Sequence, residues 1–225
     1  MDILYSNHEY VDALLNIYNS VKTYYAWGAF GAPANAKNRK RYEVPDTLTP
    51  DTFLFDCSGF AYKALPWGWN GDKSKTYGGA TYNKYPLDKP FPEIGIDITE
   101  DFSTIQPGEV VYMPGHVGVY IGGGKVVECT PAWDNCVQIT ECANVGIKTG
   151  LKHKRTWLSH GKLPFVSYGQ NGLLPTKQYT IAQPGEGLIA IARRCNISFT
   201  KIKELNPEIK APLYIVKLGQ KVRIK

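Results

Sequence analysis

The stretch GEVVYMPGHVGVYIGGGKVVEC, residues 108–129, contains three runs rich in Val, Ile and Tyr: EVVYM (109–113), HVGVYI (116–121) and KVVEC (125–129). Pro-Gly separates the first two and three consecutive glycines the last two, a pattern of strands joined by tight turns. VQIT (137–140) continues the series. Upstream the period changes: Val11, Leu14, Leu15, Tyr18, Val21 and Tyr25 recur at three- and four-residue steps. That spacing predicts an N-terminal helix, with Asn7 as its N-cap. Helix first and antiparallel strands later predict an α+β domain.

Side chains alternate along a strand, so the length of the glycine loop decides which residues share a face. A three-residue loop over 122–124 pairs Ile121 with Lys125 and Gly118 with Glu128. Glu128 then becomes the diagonal neighbour of His116, within reach of a long side chain.

A second stretch, FDCSGFAYKAL (55–65), predicts a short helix that begins at about Cys57 and carries Phe60, Ala61, Ala64 and Leu65 on one stripe. A helix start offers unpaired N–H groups and a positive dipole end, which favour a thiolate and a developing oxyanion. The alternative for Cys57 is a buried structural thiol. A nucleophile needs a base, and the chain has His8, His116, His153 and His160. His8 precedes the first helix, His153 lies in the basic loop GLKHKR, and His160 is read in a turn, SHGKL. Only His116 begins a strand-like run that would hold it rigidly.

The 225 residues suit one domain of about 170 residues and a small module. With 43% apolar residues global disorder is excluded, and no window approaches a membrane span. The N-terminus MDILYSNHEYVDALL lacks the basic region and apolar run of a secretory leader. Five cysteines without CxxC or short Cys/His spacing argue against zinc; a bridge among Cys129, Cys136 and Cys142 is open, but without a secretory leader reduced thiols are expected. Stretches 31–45 and 66–108 read as loops. Periodicity is lost over GQNGLLPTK, which sets a domain at 1–168, a linker at 169–177 and a second domain at 178–225. The last domain reads strand, helix, helix, strand. It holds nine Lys/Arg against three Asp/Glu and so carries the whole net charge of +6, which points to an anionic surface or a solvated basic face.

DCSGF followed by GHVGVYIG, with YAWG at 25–28 ahead of them, resembles the NlpC/P60 family of cell-wall cysteine peptidases. WGWNGDKSKTYGGATY and VVECTPAWDNCVQIT resemble phage-type wall lysins within it. The resemblance implies a papain-like α+β core with Cys57 as nucleophile, His116 as base and Tyr25 at the oxyanion. It implies Asp56 and Ser58 on the amine side of the substrate. The third polar residue of the family, usually His, falls on Glu128 here. Trp67 and Trp69, with Tyr77 and Tyr82, are candidates to line a substrate groove, or else to pack in the core or in loops. Residues 178–225 resemble a LysM domain, which implies a βααβ module binding N-acetylglucosamine chains through Gly185, Gly187 and Leu188 and through Asn206, Pro207 and Ile209. The family's Gly-Asp-Thr-Leu is Gly-Glu-Gly-Leu in this chain.

Together these resemblances imply a peptidoglycan hydrolase that cuts stem peptides at the γ-D-glutamyl–diamino-acid bond. The alternatives are an amidase acting where the peptide joins muramic acid, or a non-catalytic wall-binding protein. The expected partner is peptidoglycan, stem peptide and glycan chain both, with no nucleic acid, cofactor or metal. The site of action is the bacterial cell wall, reached as an endolysin released by another route or as a secreted protein whose leader was trimmed.

Overall fold

Ser6, rather than Asn7, opens the first helix. Its hydroxyl accepts from the Glu9 N–H (3.3 Å), and the Glu9 carboxylate accepts in return from the Ser6 N–H (3.0 Å). This reciprocal box satisfies two donors at the helix start. Asn7, expected as the cap, is buried and donates its amide to the Pro107 carbonyl (3.0 Å). The computed structural model describes residues 3–74, 87–169, 179–182, 186–195, 197–206, 209, 214–216 and 220–224. Tyr77, Tyr82, Gly185, Pro207 and positions 170–177 of the expected linker lie outside them. The chain divides into two units, 1–168 and 169–225.

In the first unit, α1 (Asn7–Ser20) buries Tyr10, Val11, Leu14 and Ile17, whereas Leu15 is half-buried and Tyr18 exposed. Tyr10 sets this face: its hydroxyl donates to the Ala61 carbonyl and its ring meets Phe165 edge-on. The expected stripe is therefore rotated. Val21 and Tyr25 lie past the helix, Tyr25 in β2 (Lys22–Tyr25).

The four expected strands form one antiparallel meander: β6 (Val110–Met113), β7 (His116–Gly122), β8 (Lys125–Thr130) and β9 (Cys136–Cys142). It is widened by β10 (Lys154–Arg155), parallel to β9, and on the other side by β11 (Ser159–Lys162) and β5 (Ile96–Thr99). The order is β10-β9-β8-β7-β6-β11-β5. Alternation gives the sheet two faces. Val110, Val117, Val119, Val127, Cys129 and Val137 join Leu14, Phe55 and Phe60 in the main core. Val111, Tyr120, Val126 and Cys142 join Phe102 and Trp157 on the other side. Each fully buried side chain of this kind stabilises by about 1.5–3 kcal/mol.

The β7–β8 turn is tighter than expected. Gly122 pairs with Lys125, leaving Gly123 and Gly124 as the turn and a bulge at Ile121. All three glycines have positive φ (89°, 57° and 73°), which explains why the run is glycine. Beyond the bulge Val119 faces Val127, so Gly118 falls opposite Glu128 as the loop arithmetic required.

Several elements lie in stretches read as loop or turn. β3 (Phe30–Pro33) and β4 (Thr52–Phe55) form a second sheet with β2, in the order β2-β4-β3. Between them α2 (Ala36–Tyr42) is capped by Asn35, which accepts from the Asn38 N–H (2.9 Å). It buries none of its residues, so no apolar stripe announced it. α3 is a π-helix over Gly59–Lys63, entered through helical Cys57 and Ser58. α4 (Phe91–Ile94) precedes β5. β1 (Tyr5–Ser6) pairs in parallel with β12 (Val166–Ser167). His160 is not in a turn but buried on β11, bonded to the Glu109 carboxylate through Nδ1 and 3.0 Å from the Asp101 carbonyl through Nε2.

The second unit is the expected βααβ arrangement. β13 (Tyr179–Ile181) pairs antiparallel with β14 (Lys221–Arg223), and α5 (Leu188–Arg194) and α6 (Phe199–Leu205) lie between them in sequence. Leu188, Ile191, Ile202 and Val222 form its core.

Candidate active site

Cys57 stands at the start of a helix capped by the residue before it. Asp56 accepts from the Gly59 N–H and the Ser58 hydroxyl (3.0 Å) through Oδ1, and from the Gly28 N–H (2.9 Å) through Oδ2. The same residue thus caps the helix and ties it to the turn after Tyr25. The Asp56 N–H donates to the Ala29 carbonyl (2.7 Å), and a Cβ at Gly59 would lie 2.0 Å from that carbonyl oxygen. Only glycine lets the two backbones approach this closely.

The thiol meets the large sheet at β7. Backbone N–H groups of Val117, Ser58 and Cys57 itself point at the sulfur and favour its anion, but burial and then the Asp56 carboxylate outweigh them and push the Cys57 thiol up. The lowered pKa expected from the helix start alone is therefore not what this environment gives. Desolvation is the larger effect. Cys129 lies deeper on β8, its thiol donating to the Phe55 carbonyl (3.4 Å), and burial pushes it well above the ordinary thiol range. Tyr25, opposite Phe55 in the small sheet, sits close enough to Cys57 that burial first, and then the charges of Cys57 and Asp56, raise its hydroxyl.

His116 begins β7, beside Val117, and its ring stacks on the Trp157 indole at 5.6 Å and 18°. His116 Nε2 lies 2.6 Å from Glu128 Oε2. A Cβ at Gly118 would be 2.5 Å from Val126, 3.2 Å from Glu128 and 3.3 Å from Trp157. Glycine there leaves room for this group to assemble. Glu128 is fully buried. It also accepts from the Thr140 hydroxyl (2.5 Å) and from Arg155 Nε (3.1 and 3.3 Å to its two oxygens). Burial works to raise its pKa, but the bonds from His116 and Thr140 and the charges of His116 and Arg155 prevail and hold it below the ordinary value.

The structure thus brings Cys57, Tyr25 and Asp56 together and sets His116 and Glu128 in hydrogen-bond contact. Thr140, Arg155 and Trp157 were not singled out from the sequence. Trp69 is corrected: it is buried, donates its indole N–H to the Gly31 carbonyl (3.0 Å) and packs edge-on against Phe53 and Phe55, so it is core and not groove. Trp67 is half-buried and lies against Phe30 (4.0 Å).

Of the expected glycan contacts, the Leu188 and Ile209 side chains are buried in the core of the second unit. Asn206 is also buried; its amide donates to the carbonyls of Ile202 (2.8 Å) and Arg223 (2.7 Å) and its oxygen accepts from the Arg223 N–H (2.7 Å). These three side chains are buried within the module. Gly187 is the N-cap of α5.

Residues 180–225 match the family model of the LysM domain. No curated protein matches the chain. Among solved structures, NlpC2 from Trichomonas vaginalis is similar at 16% identity over 72% of this chain and 49% of that one, with a TM-score of 0.38. The P60 domain of an antigen from M. avium subspecies paratuberculosis is similar at 17% identity over 72% and 98%, TM-score 0.38. The peptidoglycan hydrolase RipB from Mycobacterium tuberculosis is similar at 18% identity over 72% and 67%, TM-score 0.37. The chain spans about half the length of the first of these. Its C-terminal unit is a LysM domain, joined to an α+β unit in which a buried thiol lies against a strand whose histidine contacts a carboxylate of the next strand.

Proposed function

We propose that this protein is a cysteine peptidase that hydrolyses the stem peptides of peptidoglycan and is held on the wall by its LysM domain. The observation that carries this reading is the His116–Glu128 contact (2.6 Å) between β8 and β7, the strand whose Val117 N–H meets the Cys57 thiol. A carboxylate accepting at Nε2 keeps the proton there in the neutral imidazole, so Nδ1 holds the lone pair. Because burial pushes the Cys57 thiol up, the thiol gives its proton to His116 and becomes the thiolate, and the imidazolium is then backed by Glu128.

The thiolate attacks the scissile carbonyl carbon, and the carbonyl electron pair moves onto oxygen. The Cys57 N–H and the Tyr25 hydroxyl receive that oxyanion. The imidazolium protonates the departing amine as the C–N bond breaks, leaving a thioester on Cys57. Water then gives a proton to His116 and its oxygen to the acyl carbon, and the thiolate leaves. Ser58 and the charge of Asp56 receive the amine side of the substrate. The favoured bond is γ-D-glutamyl–diamino acid, and glycan contacts around 185–188 and 206–209 use backbone groups, since the Leu188, Asn206 and Ile209 side chains are core.

Mass spectrometry of fragments released from purified walls tests this. The expected products carry a new amino terminus on the diamino acid, and the Cys57→Ala protein releases none. Release of whole stem peptides from muramic acid would make the enzyme an amidase. Binding without any release would leave a wall-binding protein.

A further inference from the structure

Arg155 lies on β10, a two-residue strand, far from the motifs around Cys57 and His116. Its guanidinium nonetheless grips Glu128 on both oxygens: Nε is 3.3 Å from Oε1 and 3.1 Å from Oε2, and Nη2 is 3.0 Å from Oε2. We infer that Arg155 is a positioning residue that fixes the Glu128 carboxylate and, through it, the orientation and tautomer of His116. This inference rests on the reading of Cys57 and His116 as nucleophile and base.

A carboxylate with no exposed surface stays ionised only when it is paired. His116 cannot be its permanent partner, because a base is neutral for part of every cycle. Arginine keeps its charge at all working pH values and its planar fork matches a carboxylate. With Arg155 on one edge and the Thr140 hydroxyl on Oε1, the carboxylate plane is fixed and Oε2 remains aimed at His116 Nε2. Glu128 is faced by His116 from β7, Thr140 from β9 and Arg155 from β10, and the Cys129 thiol is its neighbour on β8.

The clamp itself is held in place. The guanidinium carbon lies 4.8 Å from the ring centre of Trp133 and 5.7 Å from that of Trp157. Trp157 also stacks on His116 and is locked by Asn144, which accepts from its N–H (2.8 Å) and donates to its carbonyl (3.0 Å). One wall therefore sets both the cation and the imidazole. The competing role for Arg155 is a structural ion pair that stitches β10 to β8 and does nothing to His116.

The rate of Cys57 alkylation by iodoacetamide, mapped by peptide mass spectrometry against pH in the full chain, separates the two. This readout needs no wall hydrolysis, so the positioning role stands or falls apart from the substrate. Losing the cation leaves Glu128 without its constant partner, and losing the oriented imidazolium strips the thiolate of its own. Both move the profile to higher pH. Arg155→Gln should slow alkylation near neutral pH by about 10-fold or more, and Arg155→Lys, which keeps the charge but not the fork, should fall between it and wild type. In a Glu128→Gln background, adding Arg155→Gln should cause no further slowing, because the intermediary is gone. Should Arg155→Gln fail to fold, Arg155→Lys carries the test: the ¹⁵N resonances of His116 should show loss of the single Nε2–H tautomer. Wild-type profiles in the variants that fold, or equal slowing by Arg155→Gln with and without Glu128, would reduce Arg155 to a structural ion pair.

Discussion

Glu128 has no exposed surface, yet three groups hold it in its charged form, and one of them is the imidazole of His116. Glu128→Gln keeps the shape and an acceptor but removes the charge that backs the imidazolium. Turnover of a soluble stem peptide should drop about 10- to 1,000-fold in kcat with KM nearly unchanged, and by less than in Cys57→Ala. A wild-type rate would demote Glu128 to a buried structural acid. His116 and Glu128 were legible because strand alternation and a glycine loop are local arithmetic. The bulge at Ile121 shortened the turn without disturbing the register beyond it. Arg155 was not legible: β10 follows a stretch without periodicity and pairs in parallel with β9, a long-range choice that two residues cannot announce. The raised Cys57 thiol escaped for a similar reason, since burial is set by the whole fold and a helix start by its neighbours.

Among elements, α3 depends on one absent side chain. Gly59→Ala would drive a Cβ into the Ala29 carbonyl, which is backbone and cannot swing aside. Overpacking of this kind should destabilise the first unit by about 1–3 kcal/mol and displace the Cys57 helix, seen as a lower denaturant midpoint together with slower alkylation of Cys57. An unchanged midpoint would mean that the helix start yields easily. β11 offers a pH test. Burial works to lower the His160 pKa, but the Glu109 carboxylate and the Asp101 carbonyl prevail and raise it. A raised folded value means that the pair stabilises fully below the ordinary histidine pKa of about 6.5 and that this contribution fades as pH rises through the folded value. The melting-temperature gap between wild type and His160→Gln should thus be largest on the acid side of that window and shrink above it. A gap that widens with rising pH would contradict the pairing. The long strands and α1 were readable from period two and period 3.6. The small sheet was not, because β2 and β3 are four-residue strands and α2 exposes every side chain or buries it only in part.

At the scale of the whole molecule, the candidate catalytic residues lie in the first unit and the LysM match in the second. A chain ending at Tyr168 should therefore cleave soluble stem peptides at the rate of the full chain. Its activity on intact walls should fall by about 10-fold or more, because a tethered domain raises the local concentration of substrate. Loss of small-peptide cleavage would mean that the LysM unit completes the active site. The excess of basic residues belongs to the tail alone. All of this stands on covalent catalysis by one thiol. Intact-protein mass spectrometry of the full chain, acid-quenched during turnover of a stem peptide, tests it most directly. The expected result is a thioester adduct of the acyl half that maps to Cys57 and is absent from Cys57→Ala. Turnover of the same peptide by the Cys57→Ala protein, or an adduct on any other residue, would contradict it.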